Sequence, residues 1–193
     1  MATNQGVVGS NPASRAIDTH GSDLWGLARF SWRSYHVCMR LPQPQLEHVC
    51  DIAVEIGAPV EVGQTDMGLR RLIPITGGTV LGDAMHGKVL AGGADFQLIL
   101  ADRTQAHLDA RYVLELDDGA RIWVHNTALR VTSAEDGFRL MKGEPVSPER
   151  VYFRCQPRFE AADPQWAWLA QHQFVGVGLR LPDAVHISVY QVV

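Results

Sequence analysis

From Leu46 onward the chain alternates apolar and polar residues with a period of two. Leu46, His48, Cys50, Ile52, Val54 and Ile56 fall on one side, Glu47, Asp51 and Glu55 on the other. That alternation predicts a strand with one covered face, ended by Gly57 and Pro59. Arg70–Ile75 repeats the pattern, and Gly77-Gly78 reads as its closing turn. Further strands are predicted over 84–90, 95–101, 106–116, 120–130, 151–160, 172–180 and 184–192. Gly92-Gly93, Asp118-Gly119 and Pro182-Asp183 supply the breaks between them. Asp118-Gly119 between two long alternating segments predicts a two-residue type I′ hairpin, which sets Arg111 opposite Asn126 and Tyr112 opposite His125.

Two helices interrupt the strands. Thr132-Ser133-Ala134-Glu135 has capping-box spacing and opens a helix that can run to Lys142, with Gly143 as its stop. Asp163-Pro164 pairs an N-cap with proline at the first helical position, opening a turn or two through Trp166 and Leu169. Strand follows strand with no βαβ rhythm, so the fold class is all-β. A sheet of this length avoids open edges by closing on itself. The expectation is a single antiparallel, up-and-down-type β-barrel of about 8–10 strands with one or two short helices.

Residues 1–24 lack any such periodicity and are rich in Gly, Ser, Asn, Ala and Thr, too few apolar groups to offset the entropy of ordering. The run Gly9-Ser10-Asn11-Pro12 is what the T-arm of a transfer-RNA gene encodes when read in one frame. Residues 1–38 are therefore expected to be a disordered or artefactual N-terminal extension, with the barrel domain spanning 39–193. Trp25, Phe30, Trp32 and Tyr35 would instead suit a small docked segment.

Composition narrows the function classes. The chain has 193 residues, 46% hydrophobic and 20% charged, enough for one domain with a real core. Its net charge of −4 argues against nucleic acid and anionic membrane as partners. No run of 18 or more apolar residues occurs that would span a bilayer as a helix. Cys38, Cys50 and Cys155 are too scattered for a disulfide framework and form no CxxC pair, so a reducing cytoplasm is expected.

The motif search excludes several chemistries. Gly82-x4-Gly87-Lys88 lacks the Ser or Thr that would reach magnesium, and a strand rather than a helix follows, so it is no phosphate loop. The eight histidines show no HxH, HExxH or HxxxH spacing, and neither a metal nor another cofactor is expected. There is no GxSxG elbow. More informative are polar residues spaced at two inside strands that should bury one face. Asp109 and Arg111 alternate with Leu108, Ala110, Tyr112 and Leu114, and the hairpin register adds Asn126, with Arg130 further along the same side. Pairing of the 95–101 strand adds Asp95 and Gln97. This face is either a solvated exterior with cross-strand ion pairs or a lumen lining that orients a small polar ligand. The opposite face carries Tyr112, Trp123 and His125, an aromatic core with one satisfied histidine. In Tyr152–Glu160, Phe153, Cys155 and Phe159 read as buried, and Arg154, Arg158 and Glu160 fall on the alternate face.

Pro74–Val80, Gly92–Gln97, Leu108–Tyr112 through Asp117-Asp118-Gly119, Asn126, Tyr152-Phe153-Arg154, Pro157–Glu160, Trp168-Leu169 and Phe174–Gly178 occur in an order that resembles the bacterial and fungal family called domain of unknown function 3237. The resemblance runs from about Leu46 to Val193. It implies a compact barrel with a central cavity and no assigned reaction. It also singles out Asp95, Asp109, Arg111, Tyr112, Asn126 and Arg154, positions that the family's pattern holds. The expected function is binding of a small, partly apolar organic metabolite in the cavity. Arg111, Asn126, Arg154 and Gln97 would be the ligand-binding residues. The alternative is a small cofactor-independent enzyme of secondary or aromatic metabolism, a lyase, isomerase or hydrolase. Arg111 would then anchor an anionic or carbonyl oxygen, Asp95 or Asp109 would serve as acid or base, and Tyr112 or Asn126 would orient the substrate. Assembly into a homo-oligomer is left open.

Overall fold

The computed structural model describes residues 40–193. The expected N-terminal extension, residues 1–38, lies outside the described residues. Ten strands run in chain order: β1 Leu46–Ile56, β2 Val60–Thr65, β3 Gly68–Leu81, β4 Gly87–Val89, β5 Ala94–Ile99, β6 Gln105–Leu116, β7 Arg121–Val131, β8 Tyr152–Ala161, β9 Phe174–Arg180 and β10 Ala184–Val192. One α-helix, α1 Ala134–Met141, follows β7, and two 3₁₀ segments cover Pro148–Arg150 and Pro164–Gln171.

Eight antiparallel strands close a barrel in the order β1, β10, β9, β8, β7, β6, β5, β3 and back to β1, with β2 and β4 as additions. Apart from the β3–β5 and β1–β3 contacts, the order is that of hairpin-linked neighbours closed by β1 against β10. Eight strands enclose a space that side chains fill or that holds one small ligand.

Two local readings are corrected. Gly77-Gly78 is no turn, because β3 runs through both glycines to Leu81 and pairs with β1 there, Gly78 opposite Val54. Gly78 has φ +140°, and a Cβ on it would sit 2.0 Å from the Ala53 carbonyl oxygen. The glycine allows two backbones to pass closely. β2, with little covered face, was missed altogether.

The β6–β7 hairpin also departs from expectation. Its loop has three residues, Asp117-Asp118-Gly119, and Leu116 hydrogen-bonds Ala120 across it (N–H to O, 2.9 Å). Gly119 adopts φ +85° as the residue that follows the turn, the G1-bulge arrangement. The pairing is therefore shifted by one: Arg111 faces His125 and Ala110 faces Asn126. A one-residue shift moves every side chain of one strand to the other face of the sheet. The inward residues of β6 are Leu108, Ala110, Tyr112, Leu114 and Leu116; those of β7 are Ile122, Val124, Asn126, Ala128 and Arg130. Trp123, expected in the core, is 42% exposed.

The end of the barrel at this hairpin is packed solid by Val80, Met85, Val89, Leu114, Ile122 and Val124, with Trp166 and Leu169 of the second 3₁₀ segment. Asp163 caps that segment through the Gln165 N–H (2.9 Å), as expected from Asp-Pro. Asp118 ties hairpin to cap, accepting from the Trp166 indole at 3.0 Å and from the Ala120 N–H at 2.9 Å. At the other end β7 runs into α1, whose N-cap is Ser133, accepting from the Asp136 N–H at 3.1 Å. On β8 the expected alternation holds, with Phe153, Cys155 and Phe159 buried.

Candidate functional site

Above the packed floor the barrel contains a cavity of about 50 Å³, room for a few water-sized groups without any side-chain movement. Its wall is mostly aliphatic: Val54, Ile56, Ile73, Ile75, Leu108, Ala110, Ala128, Val185 and Ile187, with Phe153. The polar groups set into this wall are Asp95, Gln97, Tyr112, Asn126, Arg130 and Arg180.

Each is placed by strand alternation. On β5, Asp95 and Gln97 point inward while Phe96 between them is exposed. Gln97 Nε2 donates to Asp95 Oδ2 at 2.6 Å, and the Asp109 backbone N–H donates to Asp95 Oδ1 at 3.0 Å. Burial raises the Asp95 carboxyl above the usual carboxylate range, outweighing these two donors and the nearby Arg130, which act to lower it. Asp95 is thus a carboxyl that holds its proton more tightly than an exposed one, on the wall of a mostly aliphatic chamber.

Tyr112 is 2% exposed, and its hydroxyl has no hydrogen-bond partner among the described residues. Burial, more than the neighbouring Cys155, Cys50 and Asp95, pushes its pKa far up, so the phenol is neutral at any physiological pH. Asn126, 4% exposed, likewise leaves its side-chain oxygen unpartnered. Such stranded buried atoms are uncommon, and each costs about 1–3 kcal/mol unless something pairs with it. Cys50 and Cys155 are buried in the same core cluster as Tyr112. Burial pushes their thiols up to about 12 and about 11, so neither is a ready nucleophile.

Three arginines share the inward face. Arg130, at the end of β7, is 6% exposed, and burial first, then the Arg180 charge, lowers its pKa to about 10. Arg180, at the end of β9, donates to the Ala184 carbonyl at 3.2 Å. Arg71 is buried on β3 in register with Ile73 and Ile75; Glu61 approaches its Nε at 3.7 Å, too far for a hydrogen bond.

Of the residues singled out from sequence, Asp95, Gln97, Tyr112 and Asn126 meet in the lumen. Asp109, Arg111 and Arg154 do not. Asp109 lies on the outer face, where its carboxylate contacts His125 Nε2 at 2.9 Å and Arg111 Nη2 at 3.2 Å. Arg154 is exposed, donates to its neighbour's carbonyl (Phe153, 3.0 Å) and lies 4.9 Å from the Tyr152 ring centre. The expected single polar face is therefore split by the hairpin shift: Arg111 and Asp109 stay outside, and Asn126 moves to the side of Tyr112. Arg71 and Arg180 went unrecognised. Their signal was parity, Arg71 falling two and four residues before Ile73 and Ile75, and Arg180 two and four after Gly178 and Gly176.

Among the described residues there is no cluster of three or more His, Cys, Asp or Glu side chains that could hold a metal ion. No helix among them is long and apolar enough to cross a membrane.

The barrel is matched by several known proteins. A UPF0311 protein of Rhodopseudomonas palustris is 43% identical over 151 residues, covering 78% of this chain and 98% of that protein. The crystal structure of a conserved protein of unknown function from the same species has 42% identity and a TM-score of 0.75, over 79% of this chain and 100% of that one. A protein with unknown function from Clostridium acetobutylicum has 37% identity and a TM-score of 0.73, over 80% and 100%. The family model described as "Protein of unknown function (DUF3237)" matches residues 44–192. With the family model spanning nearly all of the described residues and a relative 43% identical over 78% of the chain, the chain belongs to the DUF3237 family.

Proposed function

We propose that this protein binds a small, partly apolar organic metabolite in the barrel lumen. The observation that carries the reading is the pair of stranded polar atoms, Tyr112 Oη and Asn126 Oδ1, on the wall of a mostly aliphatic cavity. A ligand hydroxyl between them satisfies both atoms, while its hydrocarbon part covers Ile73, Ile75 and Ile187. Tyr112 can donate or accept, whereas Asn126 Oδ1 only accepts, so the pair favours an oxygen that carries a proton. The test is a thermal-shift screen of small metabolites on wild type and on Ala110→Leu, which puts a side chain into the cavity. A true ligand stabilises wild type and fails to stabilise the filled variant. Equal stabilisation of both, across every hit, overturns the reading.

A second reading, acid–base catalysis on the bound molecule, is favoured by Asp95. A carboxyl held in an apolar lumen, its pKa raised by burial, is the kind of group that serves as acid or base. In that reading Asp95 takes a proton from a carbon acid of the ligand and returns it, with Tyr112 hydrogen-bonded to the developing oxyanion. The check is deuterium incorporation into a bound ligand in D2O, followed by NMR. Exchange that is lost in Asp95→Asn supports catalysis; exchange no faster than in buffer leaves only the binder.

A further inference from the structure

The charges of the lumen do not balance. Arg71, Arg130 and Arg180 face inward, and the cavity wall offers one carboxylate, Asp95. Asp95 is already engaged by Gln97 and by the Asp109 N–H, and no arginine of the described residues is within ion-pair distance of it. Arg130 has no carboxylate partner among the described residues, and the one ion pair of Arg71 is to a half-exposed Glu61 at 3.7 Å. Arg180 hydrogen-bonds a backbone carbonyl, with Asp183 and Asp95 attracting it from beyond ion-pair distance. Arg71 and Arg130 are buried and Arg180 half-buried, and Asp95 attracts all three from beyond ion-pair distance; one carboxyl does not offset three guanidiniums, whose mutual repulsion adds to the cost. A fold that sets Arg130 and Arg180 in the cavity wall, with Arg71 on the same inward face, is preorganised for a negative group.

We infer that the ligand is an anion, a small carboxylate or comparable oxyanion whose charged end sits between Arg130 and Arg180 while its apolar body lies along Ile73, Ile75 and Ile187. This rests on the lumen-binding reading and gives it a substrate class. The two groups of polar atoms then divide the work. The arginines, where β7 and β9 end, take the anionic oxygens; Tyr112 and Asn126, deeper in, take a second oxygen of the same molecule. Arg130 remains protonated below its pKa of about 10, so the site is positive at neutral pH.

The experiment compares isosteric acids and amides, each with a hydroxyl for Tyr112 and Asn126, on the full chain by calorimetric or NMR titration: 4-hydroxybutyrate against 4-hydroxybutyramide, 3-hydroxybenzoate against 3-hydroxybenzamide. The expected result is saturable binding of a carboxylate, with its amide at least about tenfold weaker. Arg130→Met and Arg180→Met should each weaken carboxylate binding by about tenfold or more. Arg111→Ala, outside the barrel, should leave it unchanged. Should Arg130→Met fail to give a native near-UV spectrum, Arg130→Lys decides, since it keeps the charge and loses the two-pronged geometry; an intermediate loss is expected. An amide that binds as tightly as its acid, or a charge-removing variant that keeps wild-type affinity, overturns the anion inference and leaves lumen binding standing. Failure of every acid and every amide to bind removes the lumen reading and this inference with it.

Discussion

Tyr112→Phe isolates one oxygen atom and turns the idea of a site built for a ligand into a stability measurement. The phenol ring is 2% exposed and packs in the principal core cluster, so replacing it with phenylalanine leaves the packing nearly intact. What disappears is a hydroxyl with no partner among the described residues. Burying an unpaired hydroxyl costs about 1–3 kcal/mol, and the cavity beside it has room for a water that would recover part of this. The variant is therefore expected to be more stable than wild type in the absence of ligand, by about 1 kcal/mol. For a domain of this size that is roughly 2–4 °C in Tm. Urea unfolding followed by tryptophan fluorescence reads the difference at constant slope. Tyr152→Phe, on the exposed outer face, serves as the reference and should stay within about 0.5 kcal/mol. If Tyr112→Phe instead destabilises the protein by 1 kcal/mol or more, the hydroxyl is well bonded in the free protein and the reasoning fails.

Other consequences can be measured separately. Asp95 binds its proton more tightly in the native state than in the unfolded chain, whose reference value is 3.8, so its contribution to stability is full below that pH and is lost as pH rises through the native value. The fall in stability from about pH 4 upward should therefore be shallower in Asp95→Asn than in wild type, and identical slopes would contradict it. Gly78→Ala forces a Cβ against the Ala53 carbonyl at a strained φ and should cost about 3 kcal/mol or more, whereas Gly92→Ala (φ +107°, nothing nearby) should cost only about 1. Equilibrium unfolding of the two separates close approach from strain. Asp118→Ala strands the Trp166 indole N–H and releases the hairpin loop, an expected loss of about 1–3 kcal/mol with a red-shifted tryptophan emission.

How far the sequence reaches is clearest at the β6–β7 hairpin. Alternation located both strands to within a residue, because one covered face imposes period two over eleven or twelve positions. The same alternation is indifferent to whether the turn has two residues or three, and that single residue decides which side chains share a face. Asp117 precedes Asp118-Gly119, so both turns were compatible with the sequence. The error placed Arg111 in the site and took Asn126 from the side of Tyr112. The motif resemblance was immune to that shift and correctly indicated a barrel with a cavity. Of the positions it marked, Asp95, Tyr112 and Asn126 face inward, while Asp109, Arg111 and Arg154 face outward. The arginine cluster escaped because its members come from β3, β7 and β9, three strands that no local pattern relates. Gly77-Gly78 misled for a similar reason: a close crossing of β1 and β3 is a tertiary event, and in sequence it reads as a turn.

Isoleucine methyl NMR on protein titrated with a stabilising carboxylate tests the central claim most directly. The lumen presents Ile56, Ile73, Ile75 and Ile187, and the packed floor holds Ile122. Ligand binding in the lumen should shift the first four in a saturable way, give them contacts to ligand protons, and leave Ile122 nearly unmoved. Ligand contacts confined to outer-face methyls, with the four lumen signals unshifted at saturation, would contradict the account.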